Sequence, residues 1–71
     1  MTDFWYKHYK GGMYSIIGSA THTETEEELV VYMDMNRKIW VRPAEMFFGE
    51  VEINGTMVRR FVPVDLNGEL L

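Results

Sequence analysis

Apolar residues along this chain fall into short runs, each bounded by glycine, proline or a cluster of polar residues, and none is long enough for an extended helix. Residues 13–20 are mostly β-branched, aromatic or small and follow the breaker Gly11-Gly12, which predicts a strand opened by a turn. Ile16 and Ile17 interrupt strict alternation, so a bulge at Gly18 is expected to let both side chains reach apolar surroundings. Residues 21–27 are polar and threonine-rich, which suits a loop; Thr23 and Glu26 also have capping-box spacing, but the loop is preferred to a helix. Leu29-Val30-Val31-Tyr32-Met33 is a run of strand formers, expected as a central strand buried on both faces.

A polar connection at 34–38 leads into Ile39-Trp40-Val41-Arg42, a strand halted by Pro43, which has no N–H to give a ladder. With Pro43 at the first helical position and Glu45 in the first turn, residues 43–47 predict a single helical turn. The dipeptide Asn54-Gly55 predicts a type I′ hairpin. Counting outward sets Ile53 opposite Thr56, Val51 opposite Val58, Glu50 opposite Arg59 and Phe48 opposite Phe61. Beyond Pro63 no pattern emerges, so residues 63–71 are expected to fray from a core spanning about 5–62. Together these elements predict one domain over 1–71: a mainly β, SH3-like, partly open barrel of five to six short antiparallel strands with one short helical turn.

Composition narrows this picture. Seventy-one residues support one small core, and with no cysteine it has neither disulfides nor thiolate metal sites. A hydrophobic fraction of 46% with 14% aromatic residues is too apolar for a disordered chain. No apolar run approaches the roughly 20 residues that span a bilayer, and the first residues lack the pattern of a secretion signal, so the expected location is cytoplasmic and off the membrane. The formal charge is −4, with Glu24, Glu26, Glu27 and Glu28 in one stretch and the lysines and arginines scattered, which disfavours a polyanionic partner.

Three constellations carry candidate chemistry. His22 stands close to Glu24, a pairing suited to a general base or a metal ligand, but it lacks an activated nucleophile and a second reliable ligand; a histidine that bonds its own loop is the simpler reading. Arg42 lies between Trp40 and Pro43, and a planar guanidinium beside an indole suits recognition of a carboxylate, a phosphate or a base, unless the arginine pairs with a glutamate while the indole fills the core. Phe4-Trp5-Tyr6-Lys7-His8-Tyr9-Lys10 interleaves rings and cations as single-strand nucleic-acid binders do; covering a barrel end or an edge strand is the alternative.

Several blocks occur in an order that resembles a known family. Lys10-Gly11-Gly12-Met13-Tyr14, then Ile17-Gly18-Ser19-Ala20-Thr21-His22-Thr23-Glu24-Thr25, then Val30-Val31-Tyr32, then Trp40-Val41-Arg42-Pro43 with Met46-Phe47 look like the successive blocks of the bacterial and phage family called domain of unknown function 1653, a resemblance that covers roughly residues 5 to 62. The connection from Tyr32 to Trp40 is shorter than is usual there, and Met33 stands where a basic residue is expected. The resemblance implies a small cytoplasmic domain and brings no activity with it.

The favoured functional expectation is a non-enzymatic module that binds a peptide, protein or small ligand through Tyr14, Tyr32, Trp40 and Arg42, with His22 and Glu24 as further candidates and with no cofactor or metal. Single-strand nucleic-acid binding through the N-terminal segment, and a small hydrolase or metal-dependent enzyme using His22 and Glu24, are the competing expectations. A monomer and a homodimer paired through an apolar patch or edge strand are both compatible with the composition.

Overall fold

The computed structural model describes residues 5–65 and 67–70; Phe4, at the head of the aromatic and basic segment, and Leu66 and Leu71 lie outside the described residues. The fold is mainly β, with strands β1 (Trp5–His8), β2 (Met13–Thr21), β3 (Glu28–Asp34), β4 (Ile39–Pro43), β5 (Glu50–Ile53), β6 (Thr56–Arg59) and β7 (Phe61–Val64), and with the single turn α1 (Ala44–Phe47) between β4 and β5. An antiparallel five-stranded sheet runs in the order β4-β3-β2-β1-β7, and β5 pairs with β6 as a separate hairpin, so no closed barrel forms among the described residues. The strands number seven instead of five or six because the N-terminal segment supplies β1 and the residues after the hairpin supply β7.

Side-chain acceptors close four of the connections in the same way. At each one, the first residue accepts a backbone N–H from two positions on: His8 Nδ1 from Lys10 at 3.2 Å, His22 Nδ1 from Glu24 at 3.1 Å, Asp34 Oδ1 from Asn36 at 2.8 Å and Asp65 Oδ1 from Asn67 at 2.8 Å. Such local bonds mimic a backbone turn and give the chain a reversal at fixed length. Asp34 and Asp65 build matching reversals, each also accepting the N–H four positions on. The second reversal folds Leu70 back onto Val64. Residues 63 and 64, expected to begin a frayed tail, therefore complete β7, and Val64 is buried.

The hairpin takes the expected register, Glu50 to Arg59, Val51 to Val58 and Ile53 to Thr56, around Asn54 and Gly55, which both hold the positive φ a type I′ turn requires. Phe48 does not face Phe61: pairing stops at Glu50 and Arg59, and Phe61 turns into β7 opposite His8. The bulge falls where expected, with the β2–β3 register shifting between Ile16 and Gly18. Its consequence differs, because Ile17 stays more than half exposed on the face that no layer covers there. For the same reason β3 is buried on one face only, through Val30 and Tyr32. Pro43 ends β4 and serves as the residue before the helix instead of its first member, its ψ of 139° still extended. The segment at 5–8 is no edge cover: β1 lies between β2 and β7, and the edges are β4 and β7.

The core lies on the inner face, where Val30 and Tyr32 meet Phe47 from α1 and Phe61 from β7, with Tyr6, Tyr14, Ile16 and Ala44 packed around them. Phe47 and Phe61 stack with centroids 4.1 Å apart, and Tyr32 meets both edge-on. Aromatic pairs of this kind add about 0.5–1.5 kcal/mol beyond their buried area. Among the described residues, no helix is long and apolar enough to cross a membrane.

Candidate functional site

Strand parity carries the core's aromatic face outward to the sheet edge. Val30 pairs with Arg42 and Tyr32 with Trp40, so Arg42 and Trp40 stand on the face that bears the core. Tyr14 enters that face from β2, His8 from β1 and Phe61 from β7. These six side chains, His8, Tyr14, Tyr32, Trp40, Arg42 and Phe61, drawn from all five strands of the sheet, line a cleft of about 220 Å³ on its inner face.

Arg42 and Trp40 are each fixed by a side-chain hydrogen bond. Arg42 Nε donates to the Tyr32 hydroxyl at 3.3 Å, and the guanidinium carbon lies 5.8 Å from the Phe61 ring centroid. The Trp40 indole N–H donates to Asp34 Oδ2 at 3.0 Å, while Lys38 Nζ sits 4.4 Å from the indole ring centre. Asp34 thus closes the β3–β4 turn with one oxygen and fixes the indole with the other; the indole bond, followed by the backbone N–H of Lys38, holds its carboxyl below the ordinary value of 3.8. His8 packs edge-on against Phe61 at 4.8 Å. Burial, then the positive charges of Arg42, Arg60 and Lys10, push its pKa below 6.5, so the ring is neutral at pH 7.

Four of the six residues expected from the sequence, Tyr14, Tyr32, Trp40 and Arg42, therefore come together. His22 and Glu24 do not join them. Both are exposed in the β2–β3 loop, where His22 Nδ1 accepts the N–H of Glu24 and, at 3.3 Å, that of Thr25. Among the described residues, no three histidine, aspartate or glutamate side chains gather to hold a metal. His8 and Phe61 are the cleft residues that sequence reasoning missed. The period of two along β1, which sets Tyr6 and His8 on one face, is the signal for His8; no local pattern signals Phe61.

The N-terminal rings are divided by that same period. Tyr6 packs edge-on against Phe47 and Phe48 on the inner side, whereas Trp5 and Lys7 alternate to the other side. A second cleft of about 310 Å³ lies between β2, β3 and α1, lined mainly by Ile16, Leu29, Val30, Ala44 and Phe48; its ionisable side chain is the exposed Glu28.

Fold and site define a small mainly β domain with an aromatic cleft on the inner face of its sheet. The chain belongs to the family of proteins of unknown function DUF1653, whose pattern it matches over residues 5–63. Comparisons with curated proteins and with solved structures returned no match.

Proposed function

We propose that this chain is a non-enzymatic binding module, an SH3-like β domain of the bacterial or phage cytoplasm, that seats a peptide or small ligand in the cleft of Tyr14, Tyr32, Trp40 and Arg42. One observation carries the reading: rings from β2, β3, β4 and β7 converge on a concavity with a single, oriented guanidinium. Sites of this composition recognise ligands through an apolar wall and a few fixed polar groups. Among the described residues, no activated nucleophile borders the cleft, and the histidine that lines it bonds the turn that it begins.

Chemical-shift mapping against peptide and oligonucleotide libraries tests this. Peptide-induced shifts at His8, Trp40 and Arg42 are expected; a peptide library that leaves all three unmoved overturns the proposal. Oligonucleotide binding at low salt that moves Trp5, Lys7 and Lys10 instead would replace it with the single-strand reading.

A further inference from the structure

The geometry points to a carboxylate carried on a single flat ring as the ligand class of the aromatic cleft, an inference that rests on the cleft being the binding site. Arg42 is the cation among the lining residues. Its Nε edge is committed to Tyr32, which sets the plane of the guanidinium and leaves the Nη groups as the donors available to a ligand. A planar pair of N–H donors matches the two oxygens of a carboxylate through parallel bonds.

His8 supplies a second donor. Its Nδ1 accepts the Lys10 N–H, so the proton of the neutral ring resides on Nε2, on a side chain that borders the cleft. The surroundings favour an anion although the whole chain carries −4. Arg42, Arg60 and Lys10 all lie close enough to oppose a charge on His8, and Arg60 Nε is buried without a hydrogen-bond partner among the described residues. A positive local field in a partly desolvated cleft concentrates anions.

Size and donor geometry restrict the anion further. The cleft's volume of about 220 Å³ falls below the roughly 300–1,000 Å³ of sites for drug-sized molecules, so one ring and its acid group fill it. Trp40, which is exposed, and the half-buried Tyr14 offer ring surface to that ring, with the buried Tyr32 and Phe61 packed behind them. The paired Nη donors of Arg42 match the two coplanar oxygens of a carboxylate, and the titration below decides between it and a phosphate dianion.

The test is a titration of the full chain at pH 7 with phenylacetate, phenylacetamide and phenyl phosphate, followed by NMR at the Trp40 indole N–H and Arg42 Nε–H. Phenylacetate is expected to bind at least tenfold more tightly than the amide and more tightly than the phosphate, and Arg42→Lys is expected to remove most of that preference. Equal binding of acid and amide overturns the carboxylate while leaving the cleft as a site, and tighter binding of the phosphate overturns it in favour of a dianion. Failure of all three to shift the cleft also overturns it, whereas the binding-module reading falls only if the peptide library leaves the cleft unmoved too. The acid-to-amide comparison uses the unaltered chain, so it decides the matter even if Arg42→Lys misfolds.

Discussion

The two faces of the five-stranded sheet are both apolar, yet they are finished differently. The inner face is built from rings and is capped by Phe47 and Phe61, which are almost completely buried. The outer face is aliphatic toward β4, where Ile17, Ile39 and Val41 stay 53–60% exposed, and carries Trp5 and Lys7 on β1. Ring size accounts for much of the contrast. An aromatic side chain reaches from a strand to the facing helix, edge-on from Tyr6 and Tyr32 and stacked from Phe61, so a single turn of helix suffices as a lid. A phenol or an imidazole also brings a polar tip, and Tyr14, Tyr32 and His8 line the cleft beside Arg42.

Substitutions can break this contrast. Phe47→Ala should have the largest effect, a loss of about 3–5 kcal/mol read from urea denaturation, because it empties the position that touches Tyr6, Tyr32 and Phe61 together. A domain of this size is expected to be largely unfolded by it. Gly49→Ala should come next, at about 1–3 kcal/mol, since a Cβ there would lie 2.6 Å from the Glu45 carbonyl oxygen and force the exit of α1 to shift. A change below about 0.5 kcal/mol would mean that the helical lid moves freely over the inner face.

His8 sharpens the comparison through pH. Its pKa is lowered in the folded chain, so the unfolded chain takes up a proton near pH 6.5 while the folded one resists until lower pH. The unfolded state then binds more protons, and stability falls as pH drops through 6.5 toward the folded value. His8→Gln is expected to flatten the slope of the urea midpoint between about pH 7.5 and pH 5.5. An unchanged slope would place its origin outside the inner face. The smallest effects belong to the outer face: Ile39→Thr and Val41→Thr should each move stability by less than about 0.5 kcal/mol. A larger loss that grows with protein concentration would show a second copy covering that face, as light scattering would then confirm.

What the sequence made legible follows from range. Asn54-Gly55 fixes the hairpin register within four residues on each side, and Gly18 marks the bulge, because both signals act on neighbouring backbone. The meeting of Tyr32 with Trp40 and Arg42 needs only the short β3–β4 connection and a period of two. Phe61 was beyond reach. Its partner His8 lies at the opposite end of the chain, and a hairpin count carried past Arg59 keeps it on the wrong ladder. The closing of β7 by residues 65–70 had a readable sign, since Asp-x-Asn occurs at both 34–36 and 65–67, but the lack of any strand or helix pattern beyond Pro63 favours a loose tail. His22 shows the converse. Its proximity to Glu24 suggests chemistry, whereas the ring serves the turn by accepting the backbone N–H groups that follow it.

The shared carboxylate of Asp34 has an optical consequence. Because it grips the indole of Trp40 on the cleft rim, anything that settles beside Arg42 alters the polarity around an intrinsic fluorophore whose anchor is built into the backbone. With Trp5 exchanged for phenylalanine, the emission of the remaining tryptophan would report occupancy directly, and the molecule would serve as its own sensor without a label.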